Sequence, residues 1–594
     1  MDDMIFRRNL LALSSRHQGL CDALSEAEAD PRLRIEPART GLPVPVLQLP
    51  GRAAAFHSLM DPGREAERLT GAQAPGGFIV AFGLGAGYAI RSFLASPKTT
   101  AVVAVEYSAP LLRALLGLLD LSEIFLDRRF TLVLDPTPEE LGALVLSTYV
   151  PPVSGDIRTA PLRGRTDLTP EPFALAADTL RAILGRISDD YSVQAFFGKL
   201  WFRNAVRNLF ASEGPTPPLP PVRKAIVTAA GPSLEEGLGE VAKAQRDGAF
   251  LIATDTSLPA LLGHGLRPGA VVSIDCQTIS YYHFLKGLPP GLPLVLDLAS
   301  PNRLARISDS PRFFSSGHPF CAYVSSNYRP FPALDTSGGN VTHAALSLAE
   351  ALGAETCLLV GADFSYPEGK SYARGTYIYD YFDGQASRLS PSESLFAGFV
   401  RRNASIVREV DRDGEGREYC RYVTKPLMAY KEHLERFIER SSMEIRPLRG
   451  KGVEIHTRRV GPRPARMANL FSAGPASESA ASFLRRYAEG LSALPPVAGQ
   501  ASAYLSSLGP AERDLWTTLL PSASALLRAA GGRSGEARAS CAGGASGAIG
   551  AGVAGVADAA SLLEETRAWA LAELEIAMEA GESLSATRPT RGRP

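Results

Sequence analysis

Along the chain, short continuous apolar runs alternate with longer stretches of helical apolar spacing, and most of the runs end in glycine or a polar residue. Phe78-Ile79-Val80-Ala81-Phe82 runs into Gly83-Leu84-Gly85-Ala86-Gly87, and Ala101-Val102-Val103-Ala104-Val105 ends at Glu106. Further on, Ala225-Ile226-Val227-Thr228-Ala229-Ala230 precedes Gly231-Pro232-Ser233-Leu234. Phe250-Leu251-Ile252-Ala253 meets Thr254-Asp255-Thr256-Ser257, Ala270-Val271-Val272-Ser273-Ile274 meets Asp275-Cys276-Gln277, and Leu294-Val295-Leu296 meets Asp297. Cys357-Leu358-Leu359-Val360-Gly361 stops just before Asp363. Apolar runs of this length, separated by helical stretches, read as parallel strands buried on both faces, so the pattern predicts an α/β protein.

Other stretches complete the outline. Residues 4–28 have helical spacing, and 31–50 alternate prolines with short apolar pieces, as strands and turns do. Asp61 or a neighbour caps a helix running through Leu69. A helix over 189–210 ends at the proline-rich 215–221, a domain boundary. Lys425 to Phe437 reads as a closing helix and Val453-Glu454-Ile455 as at most one short strand. Tyr377, Tyr379 and Tyr381 alternate beside Phe382, which predicts a strand. Helices are expected over 480–494, 511–530 and 561–578, with a Gly/Ala/Ser-rich flexible linker at 531–560 and a frayed end from 586. The expected units are a Rossmann-like domain with linking helices (1–214), a central α/β domain (215–445) and a helical C-terminal region (446–594).

Length alone calls for several cores, since 594 residues exceed what one supports. Sixty-two basic residues balance sixty-two acidic ones, which argues against a broad nucleic-acid surface but permits a local anion pocket. The six cysteines form no CxxC pair, so neither a zinc site nor a disulfide framework is expected. No membrane span and no secretory leader are read, which predicts a cytoplasmic protein.

Candidate chemistry gathers at the strand ends. The 83–87 glycines with Glu106 follow the grammar of a dinucleotide-binding turn, and a methyltransferase reading follows from it. Ala81, however, stands where that family often has an acid. The alternative is a scaffold whose glycines only pack a helix on a sheet. His57 reads as structural, with no partner evident nearby. Gly231, Pro232 and Ser233, with Ser233 as N-cap, and the turn Ser337-Gly338-Gly339-Asn340 can each present backbone amides to a phosphate. Asp255, Asp275 and Asp363 stand where open α/β sheets bind ligands. The loop after Asp363 carries Tyr366, Tyr372 and Tyr377, along with Lys370 and Arg374, which either pair with an anion or solvate the loop. Asp411-Arg412-Asp413-Gly414 reads as a charged hairpin turn rather than a metal loop.

Three segments together resemble a known family: Gly231-Pro232-Ser233-Leu234, TDTSLPALLGHGLRPGAVVSIDCQ over 254–277, and SGGNVTHAALSLAEALGAETCLLVGADFSYPEGKSYARGT over 337–376. They look like the motility accessory factor (Maf) proteins and their relatives in the 6-hydroxymethylpterin-diphosphokinase-like superfamily. His57-Ser58, Asp61-Pro62, the FGLGAGY segment, Trp201, Asn204 and Asn208 extend the resemblance over most of 1–440. It implies a flagellin glycosyltransferase that moves a nonulosonic acid, pseudaminic or legionaminic, from its CMP-activated form to a Ser or Thr hydroxyl. It also implies a central domain similar to bacterial sialyltransferases. By position, Gly231, Pro232, Ser233, Asp255, Asp275, Ser337, Gly338 and Asp363 would hold the CMP donor, and Tyr372 and Tyr377 would stabilise the departing phosphate. Asp255 and Asp275 depart from the asparagines common at such sites. His343, at the start of a helix expected to face the pocket, is the first candidate for general base, with His433 and His318 as rivals. No cofactor is required by this chemistry, and Mg²⁺ is left open. The alternatives are a pterin diphosphokinase using ATP and Mg²⁺, and a non-catalytic flagellar assembly factor.

Overall fold

The computed structural model describes residues 3–14, 16–71, 76–214, 216–309, 311–413, 415–457, 470–471, 476–531 and 559–587. Almost all of the expected linker 531–560 and nearly all of the expected frayed end lie outside the described residues.

The N-terminal part opens with two helices, Asp3–Ser14 and Gln18–Glu26, where one continuous stretch was expected. Asn9 ties the first to the body: its Nδ2 donates to the Leu116 and Leu119 carbonyls and its Oδ1 accepts from Leu121 N–H. An antiparallel sheet of Leu33–Pro37, Pro43–Leu49 and Arg52–Ala55 follows. Asp61 then caps the helix Pro62–Gly71, its Oδ1 accepting from Arg64 N–H at 2.9 Å. The Rossmann-like layer is a four-stranded parallel sheet in the spatial order Phe130–Leu134, Thr99–Glu106, Gly77–Phe82, Ile157–Pro161.

One helix of 42 residues, Pro170–Ala211, serves two cores. Phe173, Ala176, Leu180 and Ile183 pack under the N-terminal sheet, whereas Phe202, Ala205, Val206 and Leu209 pack under the central one. At Gly198 the helix Pro510–Gly531 approaches so closely that no Cβ would fit against the Pro521 carbonyl. Pro521, inside that helix, falls at this crossing.

The central sheet has seven parallel strands in the order Arg312–Phe314, Leu294–Asp297, Ala270–Ser273, Phe250–Thr254, Lys224–Thr228, Thr356–Val360, Glu444–Pro447. Period-two alternation sends Ile226, Leu251, Val271 and Leu294 to one face and Ala225, Val227, Ile252 and Val272 to the other. Helices cover both faces. Val341–Ala351 buries Leu346 and Leu348 completely, each contributing about 1.5–3 kcal/mol. Strand order reverses beside Lys224–Thr228, so the crevice such sheets offer a ligand opens at the carboxyl ends of Lys224–Thr228 and Thr356–Val360. The last strand, Glu444–Pro447, straddles the expected boundary at 445, and 453–455 is not a strand.

Between Thr356–Val360 and the helix Lys425–Arg440 an insertion stands at the carboxyl edge. It comprises the antiparallel sheet Tyr366–Pro367, Glu418–Val423, Val407–Arg412 and two helices. The expected strand at Tyr377 is instead the helix Tyr377–Asp383: Ile378 and Phe382, four apart, are its buried stripe. The C-terminal helices Ala480–Ala493, Ala501–Ser507, Pro510–Gly531 and Ala559–Thr587 share a continuous core with the central sheet through Phe483, Tyr487, Trp516 and Leu563. Among the described residues no helix is long and apolar enough to cross a membrane.

Candidate functional site

The first turn differs from its expectation. Ser233 is the first residue of the helix Ser233–Arg246, and the capping position falls to Pro232, without a side-chain bond. The cap comes from elsewhere: Asp363 Oδ2 accepts Ser233 N–H at 2.8 Å. Gly231 N–H donates to the Gly361 carbonyl, Leu234 N–H to Gly231 and Glu235 N–H to Pro232. Every amide from Gly231 to Glu235 is therefore used, and the helix dipole already faces a carboxylate. Gly452 packs so closely on Asp363 that no Cβ would fit there, and Val453 N–H donates to the Asp363 carbonyl. Asp363 is 5% exposed, and burial raises its carboxyl pKa.

Asp255 and Asp275 lie side by side at the neighbouring strand ends but differ in commitment. Asp255 is buried; its Oδ1 accepts Thr256 N–H and Oγ–H, and its Oδ2 accepts Ser273 Oγ–H at 2.6 Å. Asp275 is half-buried and accepts Gln277 N–H through Oδ1. Burial, and then the nearby Asp255 carboxylate, raise its pKa. Two asparagines of the long helix hold these loops: Asn204 Nδ2 donates to the Cys276 and Ala299 carbonyls, and Asn208 Nδ2 to Leu298 and Ser300.

At Ser337 both the amide and the hydroxyl donate to Asp335 Oδ1, at 2.9 and 2.6 Å. Asn340 caps the helix Val341–Ala351 through His343 N–H. His343 does not face the crevice as expected. Its ring lies under Gly338, where no Cβ would fit, and edge-on to Phe437, leaving it 1% exposed. Burial lowers its pKa, and its ring packs against the turn. His433 sits beside it, half-buried, in contact with the Ser337 backbone. His318 is stacked on Trp201 at 3.9 Å, next to buried Asp297.

The insertion brings Tyr372 and Tyr377 to the Asp255 and Asp275 side, and the pKa of both phenols is raised, chiefly by burial. Ala373 N–H donates to the Ala230 carbonyl, which fixes the loop to the end of the first central strand. Lys370 pairs with Glu235 at 3.9 Å, and Arg374 N–H donates to the same carboxylate. Three residues not singled out from the sequence join them. The exposed Arg402 guanidinium acts on Tyr366, Tyr372 and Tyr377. Tyr430 touches Gly339 and lies in the field of Asp275. His283 stands edge-on to Tyr377 with ring centres 4.5 Å apart. None belongs to a motif.

The N-terminal glycine turn and the hairpin around Asp411 are both engaged by the protein's own side chains. In the N-terminal glycine turn, His57 Nε2 accepts Ala86 N–H at 2.8 Å and Nδ1 faces Glu65, so His57 has the partners the sequence did not reveal. Glu106, which a ribose would need, accepts Leu84 N–H and pairs with Arg165, both side chains being buried. The turn is thus a packed scaffold. In the hairpin, Asp411 pairs with Arg421 and Asp413 with Arg417. Among the described residues no three His, Cys, Asp or Glu side chains converge on a metal position. A cavity of about 550 Å³ opens at the amino ends of the strands, between Val222 and Phe250, and contains none of these candidates.

A doubly wound parallel sheet with an aromatic and acidic cluster at its carboxyl edge defines the class. Over 99% of its length the chain superposes on 97% of a structure described as MAf glycosyltransferase from Magnetospirillum magneticum AMB-1, with a TM-score of 0.54. At 14% identity that likeness is one of fold. Residues 203–369 match the model of the family described as 6-hydroxymethylpterin diphosphokinase MptE-like. An uncharacterised protein of Treponema pallidum (strain Nichols) is 33% identical over 165 residues, which are 27% of this chain and 78% of that protein. A second from the same organism is 44% identical over 90 residues, 15% of this chain and 32% of its own length. The chain belongs to one family with the first of these treponemal relatives.

Proposed function

We propose that the protein is a glycosyltransferase that moves a nonulosonic acid from its CMP-activated donor to a Ser or Thr hydroxyl of flagellin in the cytoplasm. The full-length likeness to the Maf glycosyltransferase carries this reading. The carboxyl-edge cluster is chemically suited to it. Leaving CMP takes the bonding electron pair onto phosphate, so the transfer needs donors aimed at that oxygen. Tyr372 and Tyr377 remain protonated, with their pKa values raised, and Arg402 adds positive charge. Asp275 has acceptor capacity for a ribose hydroxyl or the cytosine amine. These groups require no metal, and Mg²⁺ titration is one arm of the test.

The test is purified protein with CMP-nonulosonate and flagellin. A mass increase on flagellin equal to the sugar is expected; an unchanged mass with a verified donor and acceptor would overturn the reading. The match of residues 203–369 to the MptE-like family favours a second reading, a pterin diphosphokinase. Preferential binding of ATP with Mg²⁺ over CMP would favour it. Flagellin binding without either nucleotide would favour an assembly factor.

A further inference from the structure

The 3₁₀ segment Thr278–Phe284 follows Asp275 and packs against the helix Tyr377–Asp383. Tyr282 stacks on Tyr377 with ring centres 6.4 Å apart and meets Tyr381 edge-on at 5.8 Å. Lys286 and Asp380 bridge the two segments at 2.8 Å. Ile279, Tyr282, Leu285 and Tyr381 are all more than a third exposed, an apolar step at the edge of the tyrosine cluster.

At the foot of this step is His283. Its Nδ1 is buried and makes no hydrogen bond to another group of the protein, so the ring is not committed to the fold as the other engaged histidines are. The Asp275 carboxylate interacts electrostatically with its imidazole, and the Lys286–Asp380 pair ties its segment to the helix Tyr377–Asp383. Of the eight histidines, His57, His318 and His343 are engaged inside the protein, and only His283 is in ring contact with a candidate tyrosine.

We propose that Thr278–Phe284 is the acceptor side of the transfer site, with Tyr282 contacting the acceptor chain and His283 taking the proton of its hydroxyl. This rests on the glycosyltransferase reading. In the step, the acceptor oxygen bonds to the anomeric carbon while its proton passes to the imidazole. The bond from that carbon to the phosphate oxygen breaks, and its electron pair leaves on CMP. Asp275 stabilises the imidazolium so formed.

The experiment compares the full-length wild type with His283→Gln, His283→Ala and Tyr282→Ala. His283→Gln should lower kcat about 100- to 10,000-fold while CMP affinity, which also reports folding, stays within about twofold. The fall in wild-type rate at low pH should be absent from its profile, and added imidazole should partly restore His283→Ala. Tyr282→Ala should raise KM for flagellin with kcat little changed. An active wild type with His283→Gln retaining both its rate and its low-pH fall overturns the assignment alone. A wild type inert toward verified substrates overturns the glycosyltransferase reading and this assignment with it.

Discussion

Asp363 Oδ2 accepts the amide hydrogen of Ser233 at 2.8 Å across 130 residues of sequence, which puts a protein carboxylate where a phosphate was expected. The two strand ends at the point of sheet reversal are thereby joined to each other, and the ligand-accessible chemistry moves to Asp275 and the tyrosines beside them.

This pairing has a pH signature of unusual sign. Because burial raises the folded-state pKa of Asp363, the folded protein holds that proton more tightly than the unfolded chain. The contribution is fully present below the ordinary carboxylate value and is lost as pH rises through the raised one. Asp363→Asn should lack this loss, so its stability relative to wild type should improve as pH rises. Urea unfolding of both proteins from acid to neutral pH checks it. Asp363→Ala, which orphans the Ser233 amide, should cost about 1–3 kcal/mol at acid pH and less as pH rises.

His343 should prove to be a support for the Ser337–Asn340 turn. Gly338→Ala should destabilise by about 1–3 kcal/mol, because its Cβ meets the His343 ring. The double variant Gly338→Ala, His343→Ala should recover part of that loss in a denaturation cycle. His343→Ala alone should keep transfer within about threefold of wild type at a temperature where it is folded; a loss comparable to that expected on removing the general base, about 100-fold or more, would make it catalytic.

Tyr372→Phe and Tyr377→Phe should each reduce kcat by about 100- to 1,000-fold if their hydroxyls stabilise the leaving phosphate. CMP affinity should change far less. Steady-state transfer together with calorimetric CMP titration separates the two effects.

Glu106→Gln should destabilise the N-terminal unit by about 3–5 kcal/mol, because Arg165 is then left buried and unpaired. Wild type should show no thermal shift with S-adenosylmethionine or a dinucleotide, since His57 and Glu106 already fill the glycine turn.

Much of the architecture was legible because its signals are local. Leu294-Val295-Leu296 and its counterparts are continuous apolar runs because strands covered on both faces have no polar side. The Asp61 cap needed only its own helix. Two elements misled for local reasons as well. Tyr377 to Phe382 alternates aromatics as a strand does, yet Ile378 and Phe382 lie four apart and suit a helix equally. Glu444–Pro447 is short, half polar and proline-ended, so nothing marked it as a sheet edge.

The sequence by itself determined the strand-helix alternation and the polar strand ends, since both depend on neighbours within a few residues. Which of those polar ends is free was decided by the tertiary structure. Asp363 is consumed by Ser233, Asp255 by Ser273, and Glu106 by Arg165, while Asp275 comes to lie beside His283 and Tyr377. A carboxylate's availability depends on which donors the chain folds against it, and those donors lie 18 to 130 residues away.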